Sequence, residues 1–112
     1  MKWIPLTSQQ QLPELVQKSQ TTPQIIYKHS TRCGTSHMVL DRLERTTNPP
    51  PVDFYFLDLI KYRDISAKVA EDFQVHHESP QVLLISKGKC LYDESHYGIT
   101  MDEIAEQLAS VS

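Results

Sequence analysis

Lys28-His29-Ser30-Thr31-Arg32-Cys33-Gly34-Thr35-Ser36 is the stretch on which the reading of this chain turns. On its N-terminal side, Gln24 to His29 holds Ile25-Ile26-Tyr27, a β-branched and aromatic run bounded by Pro23 and a polar cluster, which predicts a strand. On its C-terminal side, Thr35 to Arg45 predicts a helix. Val39 and Leu43 are four apart, Leu40 and Leu43 three apart, and Asp41, Arg42, Glu44 and Arg45 face water. The stretch between them is therefore a strand-to-helix loop, with Cys33 at or just before the first helical turn. Amide N–H groups without intrahelical partners, and the positive end of the helix dipole, point at such a residue. Both favour thiolate over thiol. Arg32 beside the sulfur, with Lys28 behind it, is expected to add to that field. A free thiol is only a few per cent ionised at neutral pH. The local field thus decides whether Cys33 is a nucleophile or a small apolar residue without chemistry, the other reading open to a cysteine.

Ser36 is the second half of the motif. In a Cys-x-x-Cys pair the thiol at this position attacks the mixed disulfide and releases the substrate. A hydroxyl cannot do that, but it can donate a hydrogen bond to the Cys33 thiolate. A mixed disulfide formed at Cys33 then needs an external thiol to resolve it. Cys90, the one other cysteine, has two readings, a resolving thiol or a half-buried packing residue, and the second is favoured because a bridge needs Cα atoms within ~7 Å.

Outward from this centre the elements alternate. Val52 to Leu59 is mostly apolar and aromatic, as in a central strand covered on both faces. Asp64 to Phe73 repeats Ile65, Val69 and Phe73 every four residues and predicts a helix with Asp64 at its N-cap. Gln81 to Ser86 is a third strand, turned by Lys87-Gly88 into a fourth at Lys89 to Tyr92. Thr100 and Glu103 have capping-box spacing, and Met101, Ile104, Ala105, Leu108 and Val111 form the apolar face of a last helix. Before the centre, Gln11 to Ser19 reads as a helix with Leu12, Leu15 and Val16 inward, Pro13 being tolerable only in its first turn, and Trp3-Ile4 is a candidate short strand. Thr46 to Pro51, with three consecutive prolines, is a stiff connector. The strand–helix–strand unit around the loop is expected to be parallel and the Lys87-Gly88 hairpin antiparallel. One mixed sheet of four to five strands, with helices on both faces, packs this order economically, giving an α/β fold.

Size and charge narrow the function. The 112 residues are expected to form a single domain, 1–112, and a globule of this mass buries about two thirds of its unfolded surface. Fourteen acids against eleven bases leave a net charge of −3, which is no footprint for nucleic acid. No apolar run approaches the ~20 residues of a membrane span. The start Met1-Lys2-Trp3-Ile4-Pro5 does not read as a signal peptide, so the cytoplasm is the expected compartment. Two cysteines make neither a disulfide framework nor a four-ligand zinc site, and His29, His37, His76, His77 and His96 lack a companion carboxylate set, so no metal is expected. His37 falls in the first turn after Cys33, where it either tunes the thiolate or is solvated. With three glycines there is no phosphate-cradling loop, and no serine nucleophile elbow is visible. Ser79-Pro80 precedes the third strand. It is either a plain strand-start proline or a cis bond that turns the Ser79 backbone outward toward a thiol-linked substrate.

Taken in order, strand, cysteine at a helix start, strand, helix, Pro-preceded strand, hairpin strand and last helix resemble a thioredoxin-like fold. Lys28-His29-Ser30-Thr31-Arg32-Cys33, His77-Glu78-Ser79-Pro80-Gln81-Val82 and Ser95-His96-Tyr97-Gly98-Ile99-Thr100 together resemble the monothiol bacilliredoxin (YtxJ-like) family, from about Trp3 to Leu108. That resemblance implies a bacterial cytosolic oxidoreductase that removes bacillithiol, or a similar low-molecular-weight thiol, from mixed disulfides on S-thiolated client proteins. It implies Cys33 as the attacking thiol, Ser36 in place of a resolving cysteine, and Ser79-Pro80 as a cis-proline site. Thr31, Arg32, Gly34, Thr35, Ser79 and Pro80 are then the expected substrate contacts. No bound cofactor is expected; the small thiol is a co-substrate. The family commonly has a Cys-Pro-Ile-Ser pattern, from which Gly34-Thr35 departs. With that glycine, Cys33-Gly34-Thr35-Ser36 is also similar to the Cys-Gly-Phe-Ser motif of monothiol glutaredoxins, which hold an iron–sulfur cluster between two subunits with glutathione. A cluster carrier, and a thioredoxin-fold binding module without turnover, are the alternatives.

Overall fold

A computed structural model describes residues 1–111. Five strands form one mixed sheet: β1 (Trp3–Pro5), β2 (Gln24–His29), β3 (Asp53–Asp58), β4 (Gln81–Ser86) and β5 (Lys89–Ser95), interleaved with α1 (Gln11–Lys18), α2 (Gly34–Glu44), α3 (Arg63–Asp72) and α4 (Met101–Val111). The spatial order is β1-β3-β2-β4-β5. β1 and β2 both run parallel to β3, whereas β4 is antiparallel to β2 and to β5. This is the predicted α/β architecture, with five strands of the expected four to five, the candidate at Trp3-Ile4 forming β1.

Side-chain alternation explains the two layers. Ile26 of β2, Tyr55 and Leu57 of β3, and Leu83 and Ile85 of β4 pack with Leu12 and Leu15 of α1 and Ile65 and Val69 of α3. The intervening residues Ile25, Tyr27, Phe54, Val82 and Leu84 face the other way, onto Val39 and Leu43 of α2 and Ile104 and Leu108 of α4. With both faces covered, every residue of β2 and β4 is buried, which is why these segments read as unbroken apolar runs. The edge strand β5 alternates between exposed and half-buried instead. Lys87 and Gly88, both at positive φ (51° and 78°), make the tight turn between β4 and β5.

Several boundaries differ from the sequence reading. β5 runs on to Ser95 and passes into a 3-10 turn, His96–Gly98, because Glu94 pairs with Val82 and Ser95 with Gln81 and extend the hairpin. The helix after β3 starts at Arg63, so Asp64 is not its N-cap; Tyr62 is, with no side-chain cap bond. The Asp58 carboxylate accepts the Ile60 and Lys61 N–H groups, both at 3.1 Å, and the Asp58 carbonyl accepts the Tyr62 N–H at 2.9 Å. That turn brings the chain into helix before Asp64 is reached. At α4, Thr100 Oγ1 accepts the Glu103 N–H at 3.2 Å, but Glu103 Oε1 takes the Gln107 amide at 3.1 Å. Ala105, predicted on the buried face, is exposed.

Candidate active site

The C-terminal end of β2 delivers the loop that carries Cys33. Cys33 is the N-cap residue of α2, in extended backbone at φ −116° and ψ 119°. Its N–H donates to the Ser30 carbonyl at 3.2 Å, and its carbonyl accepts the His37 N–H at 3.3 Å as the first rung of the helix. The sulfur is half-buried and unbridged. The thiol is held below the ordinary range, chiefly by the backbone N–H of Ser36, with the Ser36 hydroxyl and the Thr35 N–H and hydroxyl adding to it and partial burial opposing. The orphan amides of the helix start therefore act as the loop reading anticipated. The cationic part of that reading is corrected. Arg32 is exposed, and Lys28 is turned away, so neither is among the causes that lower the Cys33 thiol.

Ser36 is fully buried beneath the sulfur. Its Oγ accepts the Ser30 N–H at 3.3 Å, and its carbonyl accepts the Tyr27 hydroxyl at 2.9 Å. Tyr27 thus pins the first turn of α2 onto β2, and burial pushes the phenol pKa well up, the Cys33 charge adding to it. The Tyr27 hydroxyl also lies 3.3 Å from His29 Nδ1. His29 stacks edge-on to His37 at 4.9 Å between centroids, and burial holds its pKa below the usual imidazole range. His37 is exposed, and its Nε2 lies 3.0 Å from the Thr31 carbonyl, closing the loop around Arg32, whose N–H is 3.3 Å from Ser30 Oγ. Sequence reasoning missed Tyr27 and the Thr35 hydroxyl. Alternation did signal Tyr27, which lies two residues from Ile25 on the α2 face.

Gly34 opens α2 and is exposed, and a Cβ built there meets nothing within 4 Å. The missing side chain leaves the helix start bare beside the sulfur. Pro80 is buried and Ser79 half-buried. The Ser79–Pro80 bond is cis, and the Pro80 carbonyl accepts the His96 N–H at 3.0 Å. Lys28 lies opposite Gln81, so the Ser79-Pro80 turn stands at the same end of the sheet as the Cys33 loop. Lys28 itself is fully buried on the α1 and α3 side of the sheet. Its Nζ is 2.6 Å from His77 Nδ1, and burial lowers its pKa to about 8. His96 Nε2 faces Glu78 at 3.6 Å.

Cys90 stands apart from all of this. It pairs with Ile85, which pairs in turn with Gln24 at the start of β2. Cys33 lies beyond the other end, so a strand length of roughly 16 Å separates the two levels. Cys90 also packs on the α1 and α3 face, and the two sulfurs are far beyond bridging reach. Burial, with Asp93 nearby, pushes the Cys90 thiol up to about 11. Among the described residues no group of three or more His, Cys, Asp or Glu side chains is placed to hold a metal ion, and no helix is long and apolar enough to cross a membrane.

A thiolate-favouring cysteine at the N-cap of the helix after the central strand, on a mixed sheet of this order, defines a thioredoxin-fold thiol oxidoreductase. The family model for monothiol bacilliredoxin BrxC matches residues 4–104, and the chain belongs to that family. Among solved structures it is similar to a thioredoxin-fold protein to which an oxidoreductase activity is ascribed, at 27% identity and a TM-score of 0.77 over 92% of this chain and 90% of the other. It also overlays on Fasciola hepatica thioredoxin (16% identity, TM-score 0.74, 96% and 98% covered). Chlamydomonas reinhardtii thioredoxin f2 overlays as well (18% identity, TM-score 0.70, 99% and 97% covered). The last two likenesses are of fold.

Proposed function

We propose that this protein removes bacillithiol, or a similar low-molecular-weight thiol, from mixed disulfides on oxidised cytoplasmic proteins by a monothiol mechanism. The Cys33 thiolate attacks the small thiol's sulfur in the mixed disulfide. That S–S bond breaks, the client leaves as its thiolate, and Cys33 holds the small thiol in a new disulfide. A second small-thiol thiolate then attacks the small thiol's sulfur, forming a symmetric small disulfide and returning Cys33 as thiolate. The observation that carries this reading is the unbridged Cys33 stabilised by Ser36 N–H and hydroxyl. A hydroxyl stands where a resolving thiol would attack a mixed disulfide at Cys33, which leaves no resolving nucleophile within reach inside the protein. Thr31, Arg32, Gly34 and Thr35 flank Cys33 along the loop and first helical turn and are the proposed substrate contacts, together with main-chain groups of the Ser79-Pro80 turn at the same end of the sheet.

The test is intact mass after exposure to oxidised bacillithiol. The expected result is one small-thiol adduct on Cys33, unchanged in Cys90→Ser and lost in Cys33→Ser. An internal disulfide, or an adduct that persists without Cys33, overturns the mechanism. Visible absorbance with dimer formation after anaerobic iron–sulfur reconstitution points instead to a cluster carrier.

A further inference from the structure

The sheet end that carries Cys33 also carries a buried cation without an acidic partner. Lys28 is fully buried, and none of the ion pairs among the described residues includes it. Its ammonium has donors only, so the contact at 2.6 Å makes His77 Nδ1 the acceptor and places the ring proton on Nε2. The His77 ring lines a cleft of about 220 Å³ with Leu59, Arg63, Ser66 and Ala67. The cleft opens where β2 and β3 end: the Leu59 N–H donates to the His29 carbonyl at 3.0 Å, and the chain beyond His29 leads directly to Cys33. None of the nearby carboxylates lines the cleft, although Glu78 acts on the His77 ring from outside it. Asp58 accepts the Ile60 and Lys61 N–H groups, Asp64 takes the Gln9 amide at 3.0 Å, and Glu78 faces His96. An ammonium and a guanidinium thus stand at a cleft whose lining includes no acid, at the end of the sheet that carries the Cys33 loop and on the face opposite α2.

We propose that this cleft binds a carboxylate carried by the small thiol that Cys33 exchanges. Arg63 and the Nε2–H of His77 donate to it, the Lys28 ammonium supplies charge from behind, and Leu59 and Ala67 pack on its carbon body. Two donors match the two oxygens of a carboxylate, whereas the apolar lining suits a carbon chain better than an inorganic anion. The inference rests on the exchange reading above and names the chemistry of its co-substrate.

The experiment compares Cys33 thiolation rates with two aromatic disulfides, dithiobis(nitrobenzoate), which carries carboxylates, and dithiodipyridine, which carries none. In Arg63→Ala, and separately in His77→Ala, the ratio of the acidic to the neutral rate is expected to fall about tenfold or more, the size of one lost hydrogen bond to a charged group. Arg63 is exposed, so its variant keeps the test informative where His77→Ala disturbs folding. A ratio unchanged in both variants, with both disulfides still reacting at Cys33, overturns the cleft and leaves the exchange reading standing. Failure of both disulfides to react with the unsubstituted protein overturns the exchange reading itself. A third arm uses an acidic peptide joined to mercaptoethanol. An Arg63 dependence confined to that arm assigns the carboxylate to the client and overturns the proposal as stated.

Discussion

Cys33 and Cys90 are the same side chain in opposite surroundings. One caps a helix at the C-terminal end of the central strand, and unpaired amides and two hydroxyls reach its sulfur. The other sits in an edge strand against the α1 and α3 core, its thiol donating to the Tyr92 carbonyl at 3.3 Å, and burial with Asp93 outweighs the Tyr92 and Leu84 N–H groups that favour its thiolate. Amide donors act on both sulfurs, so the difference teaches that a thiolate is favoured only where such donors, joined here by two hydroxyls, are not outweighed by burial, and that no nearby cation is needed.

The strongest way to break this comparison is to exchange the roles. Cys33→Ser is expected to reduce dethiolation of a bacillithiolated substrate to background, while Cys90→Ser stays within about twofold, as for a substitution remote from the chemistry. Turnover assays on both variants check this. Next in size is alkylation against pH. With Cys90 raised to about 11, its thiolate fraction at neutral pH is more than about a hundredfold below that of a free thiol. Iodoacetamide at pH 7 is therefore expected to label Cys33 alone, with a midpoint below the ordinary thiol range, and equal labelling of both sulfurs dissolves the contrast. Ser36→Ala sharpens it, since loss of the hydroxyl donor is expected to slow Cys33 alkylation at pH 7 about three- to tenfold.

The two sulfurs also push stability in opposite directions with pH. Cys90 has a folded pKa raised above its unfolded value, so the unfolded chain releases its proton first. Its contribution is present below the unfolded pKa and is lost as pH rises toward about 11. Cys33 has a depressed folded pKa, so its contribution is present above the unfolded thiol pKa and lost as pH falls through the folded one. Denaturant midpoints from pH 8 to 11 are expected to fall less steeply in Cys90→Ala than in the unsubstituted protein, the difference amounting to about 2 kcal/mol. The smallest effect is at Gly34. Cys33 already has the extended backbone that precedes proline, and a Cβ at 34 meets nothing. Gly34→Pro at this first helical position is therefore expected to stabilise by about 0.5–1 kcal/mol, read as a higher thermal midpoint.

The elements were legible in the sequence because their signals are local. Ile25-Ile26-Tyr27, the Val39–Leu43 spacing and the Lys87-Gly88 turn each declare themselves within a few residues, and they place Cys33, Ser36 and Ser79-Pro80 without reference to the rest of the chain. The start of α3 was less legible, because the cap was decided by a turn built on Asp58, six residues before Asp64. The reach of β5 to Ser95 depended on its pairing with β4, a contact between segments.

By itself the sequence determined that a cysteine stands where a strand hands over to a helix and that the position three residues on carries a hydroxyl. Hydrophobic period and turn chemistry are properties of neighbouring residues, so they survive without a fold. Only the tertiary structure decided that Lys28, five residues from Cys33, serves the opposite face, that His77 meets it, and that Cys90 lies at the far end of the sheet. Those outcomes depend on which strands pair and in what register, and a one-residue step along a strand sends a side chain to the other side of the sheet.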